Sequence, residues 1–126
     1  MSDDTPRYET VMNHGLSDGQ LAVLKQILAL YAEEIVSVEL FGSRATGDYR
    51  PNSDVDLVLR GGIKEKQIDR LRTMFQESNL PFSVDVKSYE LTTYPPLKAH
   101  MDKVCKPLFT QQDLKAVIRK SETLEV

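Results

Sequence analysis

The chain has 126 residues, 40% of them apolar and 28% charged, with a net charge of −3. That length can bury roughly two-thirds of its unfolded surface in one core, so a single domain over residues 1–126 is expected. The longest apolar run, Ile27 to Ala32, falls far short of the roughly 20 residues a membrane span needs, and the acidic balance argues against direct nucleic-acid binding.

Charge is uneven along the chain. Residues 1–60 hold 5 basic and 10 acidic side chains, and residues 61–126 hold 11 and 9. The opening Met1-Ser2-Asp3-Asp4 has neither a basic nor an apolar leader region, so no secretory signal is expected. Cys105 is the sole cysteine, which rules out an internal disulfide and fits a cytoplasmic protein. His14, His100 and Cys105 lack the paired spacing of a zinc site.

Residues 1 to about 15 are polar and aperiodic, and are expected to be flexible. Ser17-Asp18-Gly19-Gln20 reads as a capping box. Leu21, Leu24, Ile27, Leu28 and Tyr31 follow at helical spacing, which predicts a helix to about Glu34. Ile35–Phe41 reads as a strand with Val36, Val38 and Leu40 alternating. Gly42-Ser43 ends it, a short helix is expected over Ser43–Thr46, and Gly47 and Pro51-Asn52 mark a turn. Asp54–Arg60 is a second alternating strand, ended by Gly61-Gly62. Ile68, Leu71, Met74 and Phe75 place an amphipathic helix over about 64–78, and Phe82–Lys87 reads as a third strand. Pro95-Pro96 suits a helix entry, Leu108-Phe109 a short edge strand, and Leu114, Val117 and Ile118 a last helix. The fold class is therefore α+β, a small mixed β-sheet with helices packed on one face.

Chemistry concentrates on the second strand. Side chains alternate across a strand, so Asp54 and Asp56 project from one face, about 7 Å apart along the chain. Carboxylates that close repel, and a pair of Mg²⁺ ions would remove the repulsion while using the oxygens as ligands. Asp85 lies on the third strand, opposite in phase to Val84 and Val86. If Val55, Leu57, Val84 and Val86 face the helices, all three acids converge on the other face. Gly42 allows close approach of backbone to a phosphate, the Ser43 hydroxyl can donate to it, and Arg44 carries a charge suited to phosphate oxygens. Each feature alone is ordinary, since Gly-Ser is common in turns and Asp-x-Asp on solvated faces. Their combination, each placed at a strand end, points to a nucleotide–metal site.

Phe41-Gly42-Ser43-Arg44-Ala45-Thr46-Gly47, followed by Ser53-Asp54-Val55-Asp56-Leu57, resembles the signature of the minimal nucleotidyltransferases, a branch of the DNA polymerase β superfamily. The resemblance covers about Val36 to Lys87 and implies a polymerase β-like palm fold. It implies that Asp54 and Asp56 bind two Mg²⁺ ions and that Asp85 binds the catalytic one beside the attacking hydroxyl. Gly42 and Ser43 would hold the β and γ phosphates of ATP, with Arg44 and Ser53 also matching the pattern. The segment Glu77-Ser78-Asn79-Leu80-Pro81-Phe82-Ser83-Val84-Asp85 resembles the subgroup paired with a helical substrate-binding subunit. Such proteins are often encoded beside a HEPN-type helical partner, and some act as antitoxins by moving AMP onto a tyrosine of that toxin. Size points the same way: metal and triphosphate would claim much of residues 41–85, leaving little chain to enclose a base and an acceptor.

Other readings are an antibiotic or RNA end as acceptor, a non-catalytic antitoxin that neutralises by binding, and a Mn²⁺ glycosyltransferase. The short chain and the upstream Gly-Ser argue against the last.

Overall fold

The computed structural model describes residues 14–125, with side chains as far as residue 118. Residues 1–13, on which most of the expected flexible segment falls, lie outside the described residues. His14 and Gly15, at the end of that segment, are described: the His14 carbonyl accepts from Arg44 Nη1 at 2.8 Å, and Leu16 after them is buried in the core.

Helix α1 spans Asp18–Leu28 and opens with the expected capping box. Gln20 N donates to Ser17 Oγ at 3.1 Å, and Ser17 N donates to Gln20 Oε1 at 2.9 Å. Leu24 and Leu28 are fully buried. The α-helix ends earlier than its apolar periodicity suggests and continues as a 3₁₀ turn over Ala29–Tyr31. Strand β1 is Ile35–Phe41, and the one-turn helix α2 is Ser43–Thr46. Strand β2 is Val55–Gly61, helix α3 Glu65–Gln76, and strand β3 Val84–Ser88. Helix α4 (Pro95–Val104) has its prolines in the first turn, where no amide is needed. Strand β4 is Lys106–Thr110, and helix α5 is Gln111–Glu125.

The sheet is mixed, in the order β3-β2-β1-β4. β1 pairs antiparallel with both β2 and β4, and β2 pairs parallel with β3. One face carries Val38, Leu40, Val55, Leu57, Leu59 and Val86, all buried in a core that also takes Leu24, Leu28, Leu71, Phe75 and Leu114 from α1, α3 and α5. These apolar side chains drive the assembly, since a half-apolar sheet face must be covered.

Val36 departs from the expected alternation. It is 58% exposed while Ile35 is fully buried, because the β1–β2 register shifts between Ile35 and Ser37. Gly61 makes this irregularity possible: its φ is +130°, and a Cβ there would lie 2.2 Å from the Glu34 carbonyl oxygen.

The sheet's second face is divided. At one end α4 lies against it, with His100 edge-on to Phe41 at 5.4 Å and Asp102 3.6 Å from Arg60. Val58 on this face and Met101 on α4 are both fully buried. The other end stays open and bears the acids. Among the described residues no helix is long and apolar enough to cross a membrane.

Candidate active site

The open corner is built where β1 ends, β2 begins and β3 runs alongside. Phe41 is paired with Asp56 across the antiparallel ladder, and Asp56 with Asp85 across the parallel one. In-register neighbours project to the same side, so the Asp56 and Asp85 side chains stand next to each other. Asp54 sits one residue before β2 and is exposed.

Gly42 makes the turn over this corner with φ +71° and ψ −151°, a conformation open only to glycine. A Cβ there would lie 2.6 Å from Asp56 Oδ2, so backbone and carboxylate nearly touch. α2 then winds away. Gly42 O accepts from Ala45 N at 3.0 Å, and Ser43 O accepts from Gly47 N at 2.9 Å and Asp48 N at 3.0 Å. Ser43 itself is partly exposed at the start of this turn.

Arg44 differs from the sequence expectation. Its side chain points inward and the residue is 2% exposed, so it cannot meet a phosphate. Nη1 donates to His14 O, Nη2 to Pro51 O at 3.1 Å and Ser53 O at 3.0 Å, and Nε to Ser53 O at 3.2 Å. The guanidinium also faces the rings of Phe82 at 4.9 Å and Tyr49 at 5.2 Å. A planar fork with five donors suits a socket of carbonyls, and this one fixes the loop that delivers Asp54. Ser53 belongs to the same loop, its hydroxyl accepting from Arg50 N at 2.6 Å.

The acids differ electrostatically. Burial pushes the Asp56 carboxyl above its ordinary range; Lys87 opposes this, while the charges of Asp85 and Asp54 add to it. Asp54 and Asp85 are thus each near enough for their charge to act on Asp56. Burial also pushes Asp85 upward, but the hydrogen bond and charge of Lys87, with Arg72, outweigh it and leave Asp85 below the usual range. Lys87 Nζ lies 2.5 Å from Asp85 Oδ2, and Arg72 Nε 3.3 Å from Oδ1.

Sequence reading missed both cations. Lys87 was within reach of it, since it follows Asp85 by two residues on one strand and so shares its face. Arg72 comes from α3, and no local pattern announces it. Cys105 is no alternative nucleophile: burial first, then the charge of Glu39, raises its thiol to about 12.

A groove of about 550 Å³ runs beside Asp85 along the outer edge of β3, lined by Arg72, Phe75, Leu80, Phe82 and Ser83 among others. Neither Gly42 nor Asp54 borders it, so the cavity is offset from the Gly42–Asp56 corner.

Residues 23–114 match the family model described as Polymerase beta, Nucleotidyltransferase. The chain belongs to the polymerase β nucleotidyltransferase family. A probable protein adenylyltransferase MntA of Haemophilus influenzae is 35% identical over 79 residues, an overlap taking in 59% of this chain and 66% of that protein. The chain thus spans just under two-thirds of that relative's length. Two solved structures share the nucleotidyltransferase fold. One is a toxin–antitoxin with AMP-PNP, with a TM-score of 0.59 and 21% identity over 83% of this chain and 86% of that one. The other is a mutant of the MntA-HpeT toxin–antitoxin, with a TM-score of 0.57 and 19% identity over 87% of each chain.

The family implies magnesium, and the donor chemistry here is compatible with it. Carboxylate oxygens are what Mg²⁺ takes, and Asp56 and Asp85 stand side by side in register. As placed, no three acidic, histidine or cysteine side chains among the described residues are drawn together closely enough to hold a metal ion.

Proposed function

We propose that this nucleotidyltransferase transfers a nucleoside monophosphate, taken as AMP from ATP, to a hydroxyl of a protein partner. The partner fits a HEPN-type helical toxin, the acceptor a tyrosine, and the role that of an antitoxin acting in the cytoplasm. The observation that carries this reading is the corner itself: Asp56 and Asp85 in register beneath a glycine turn whose backbone almost touches the Asp56 carboxylate. The relative from Haemophilus influenzae, described as a probable protein adenylyltransferase, supports the choice of a protein acceptor.

In this reading Asp54, Asp56 and Asp85 hold Mg²⁺, which when bound supplies charge stabilisation to the attacking and leaving oxygens. The Gly42 turn and the Ser43 hydroxyl bind the β and γ phosphates, and Ser53 secures the loop that presents Asp54. The acceptor hydroxyl enters on the Asp85 side, where the β3 groove opens. That groove is too open to enclose a base and a peptide by itself, which supports completion of the site by a second chain.

The test uses the protein together with the product of its neighbouring gene. α-Labelled ATP should mark a tyrosine of that partner, and Asp54→Asn should reduce labelling on the order of 10³-fold, the loss of several kcal/mol of charge stabilisation. Equal labelling by wild type and variant would refute the proposal. A non-catalytic antitoxin is the second reading, favoured by the engagement of Asp85 with Lys87 and Arg72. It requires Asp54→Asn to bind and neutralise the partner as well as wild type does.

A further inference from the structure

The two cations on Asp85 are held differently. Arg72 is anchored three ways: Nη2 donates to Val86 O at 2.7 Å, Nη1 contacts Asp69 at 3.5 Å, and Nε contacts Asp85 at 3.3 Å. It is a fixed brace along the edge of β3. Lys87 has a long flexible stem, is one-third exposed, and among the described residues its ammonium is ion-paired with Asp85. It shares the open face with Asp56 and Asp85, and its charge reaches Asp56 as well. The ammonium therefore stands where a divalent cation on Asp85 would bring its own charge. Two cations at contact distance on one carboxylate repel strongly, even in a partly hydrated site.

We propose that Lys87 is a resident counter-ion that a divalent metal must displace from Asp85, so that metal enters with the nucleotide rather than ahead of it. The triphosphate supplies the anion to which the released ammonium moves. This rests on the reading of the corner as a metal–triphosphate site, and it concerns the order of loading. The consequence is thermodynamic: Lys87 weakens metal binding to the nucleotide-free protein, and nucleotide relieves that penalty.

Binding of Mn²⁺ to the full chain tests it, followed by the electron paramagnetic resonance signal of the free ion, with and without a non-hydrolysable ATP analogue. Lys87→Met should tighten Mn²⁺ binding roughly three- to tenfold without nucleotide, the range for a partly exposed charge, and gain less with the analogue present. Lys87→Arg, which keeps the charge, should stay near wild type. If Lys87→Met fails to fold, Lys87→Gln is measured in the same way. Should the uncharged variant bind Mn²⁺ no better than wild type, while wild type still takes up Mn²⁺ with the analogue, the counter-ion role is overturned and the site reading stands. An equal gain with and without the analogue overturns the ordered loading. If wild type takes up no Mn²⁺ even with the analogue, the site reading itself fails and this proposal with it.

Discussion

Two neighbouring regions of the molecule treat charge in opposite ways. In the socket beneath the loop over residues 48–54, Arg44 is buried and its guanidinium meets carbonyl oxygens and ring faces. A few residues away, Asp54, Asp56 and Asp85 share a half-open corner, and Asp56 holds its proton above the ordinary range. The first arrangement is finished. A buried charge with all its partners specifies one loop conformation, and removing the charge orphans every carbonyl at once. The second is unfinished, tolerable because cations can still arrive. The contrast separates scaffold from the proposed working surface: the cation beside Gly-Ser holds the loop, and the acids are left half-open beside it.

The largest effect should therefore come from breaking the finished region. Arg44→Met leaves the carbonyls of His14, Pro51 and Ser53 without their donor, and should lose about 3–5 kcal/mol of unfolding free energy in a urea titration. Arg44→Lys should recover only part of this, because one ammonium cannot span the same oxygens. A loss below about 1 kcal/mol would mean that the socket is not what holds the loop.

Glycines at either end of the sheet sharpen the same distinction. At Gly61 a Cβ would meet backbone, 2.2 Å from Glu34 O and 2.9 Å from Val36 N, at φ +130°. Gly61→Ala should lose about 2–3 kcal/mol of stability, yet leave transfer activity per folded molecule intact. At Gly42 the Cβ would meet the Asp56 carboxylate. Gly42→Ala should lose less stability, about 1–2 kcal/mol, because a side chain can yield where backbone cannot. Its transfer rate should fall on the order of 100-fold, from displacement of Asp56. Parallel melting and labelling measurements would expose the error if both variants lost activity only in proportion to their unfolding.

Much of this was legible in the sequence because it is local. The capping box at Ser17–Gln20, the turn at Gly42 and the strand phases of Asp56 and Asp85 follow from spacing alone. Strand phase failed at Val36, where a bulge depends on how Glu34 meets Gly61 across the ladder. It also could not show that Arg44 turns inward, because its partners at His14, Pro51 and Phe82 come from three separate stretches of chain. The cover from α4 escaped notice for the same reason: Met101 is buried against the second face, a placement no local spacing announces.

The smallest effects lie within the unfinished region and should carry opposite signs. Asp85 is held below the ordinary carboxylate range by Lys87 and Arg72 against the effect of burial. Its contribution to stability is therefore present above its unfolded pKa and lost as pH falls through the folded one. Asp56 is the reverse. Its folded pKa is raised by burial and by the neighbouring acids, so the folded state holds the extra proton, and stability falls as pH climbs through the ordinary range to that raised value. At pH 7, Asp85→Asn should lower the melting temperature and Asp56→Asn should raise it, each by roughly 2–4 °C. Both differences should shrink as pH falls below the ordinary carboxylate range, that of Asp85 last because its folded pKa lies lowest, and in high salt, which screens partly exposed charges. Asp56→Asn should also abolish nucleotide transfer, so the side chain whose removal steadies the fold is one the reaction needs. If Asp56→Asn destabilised the protein at pH 7, the corner would already be balanced, and its contrast with the Arg44 socket would disappear.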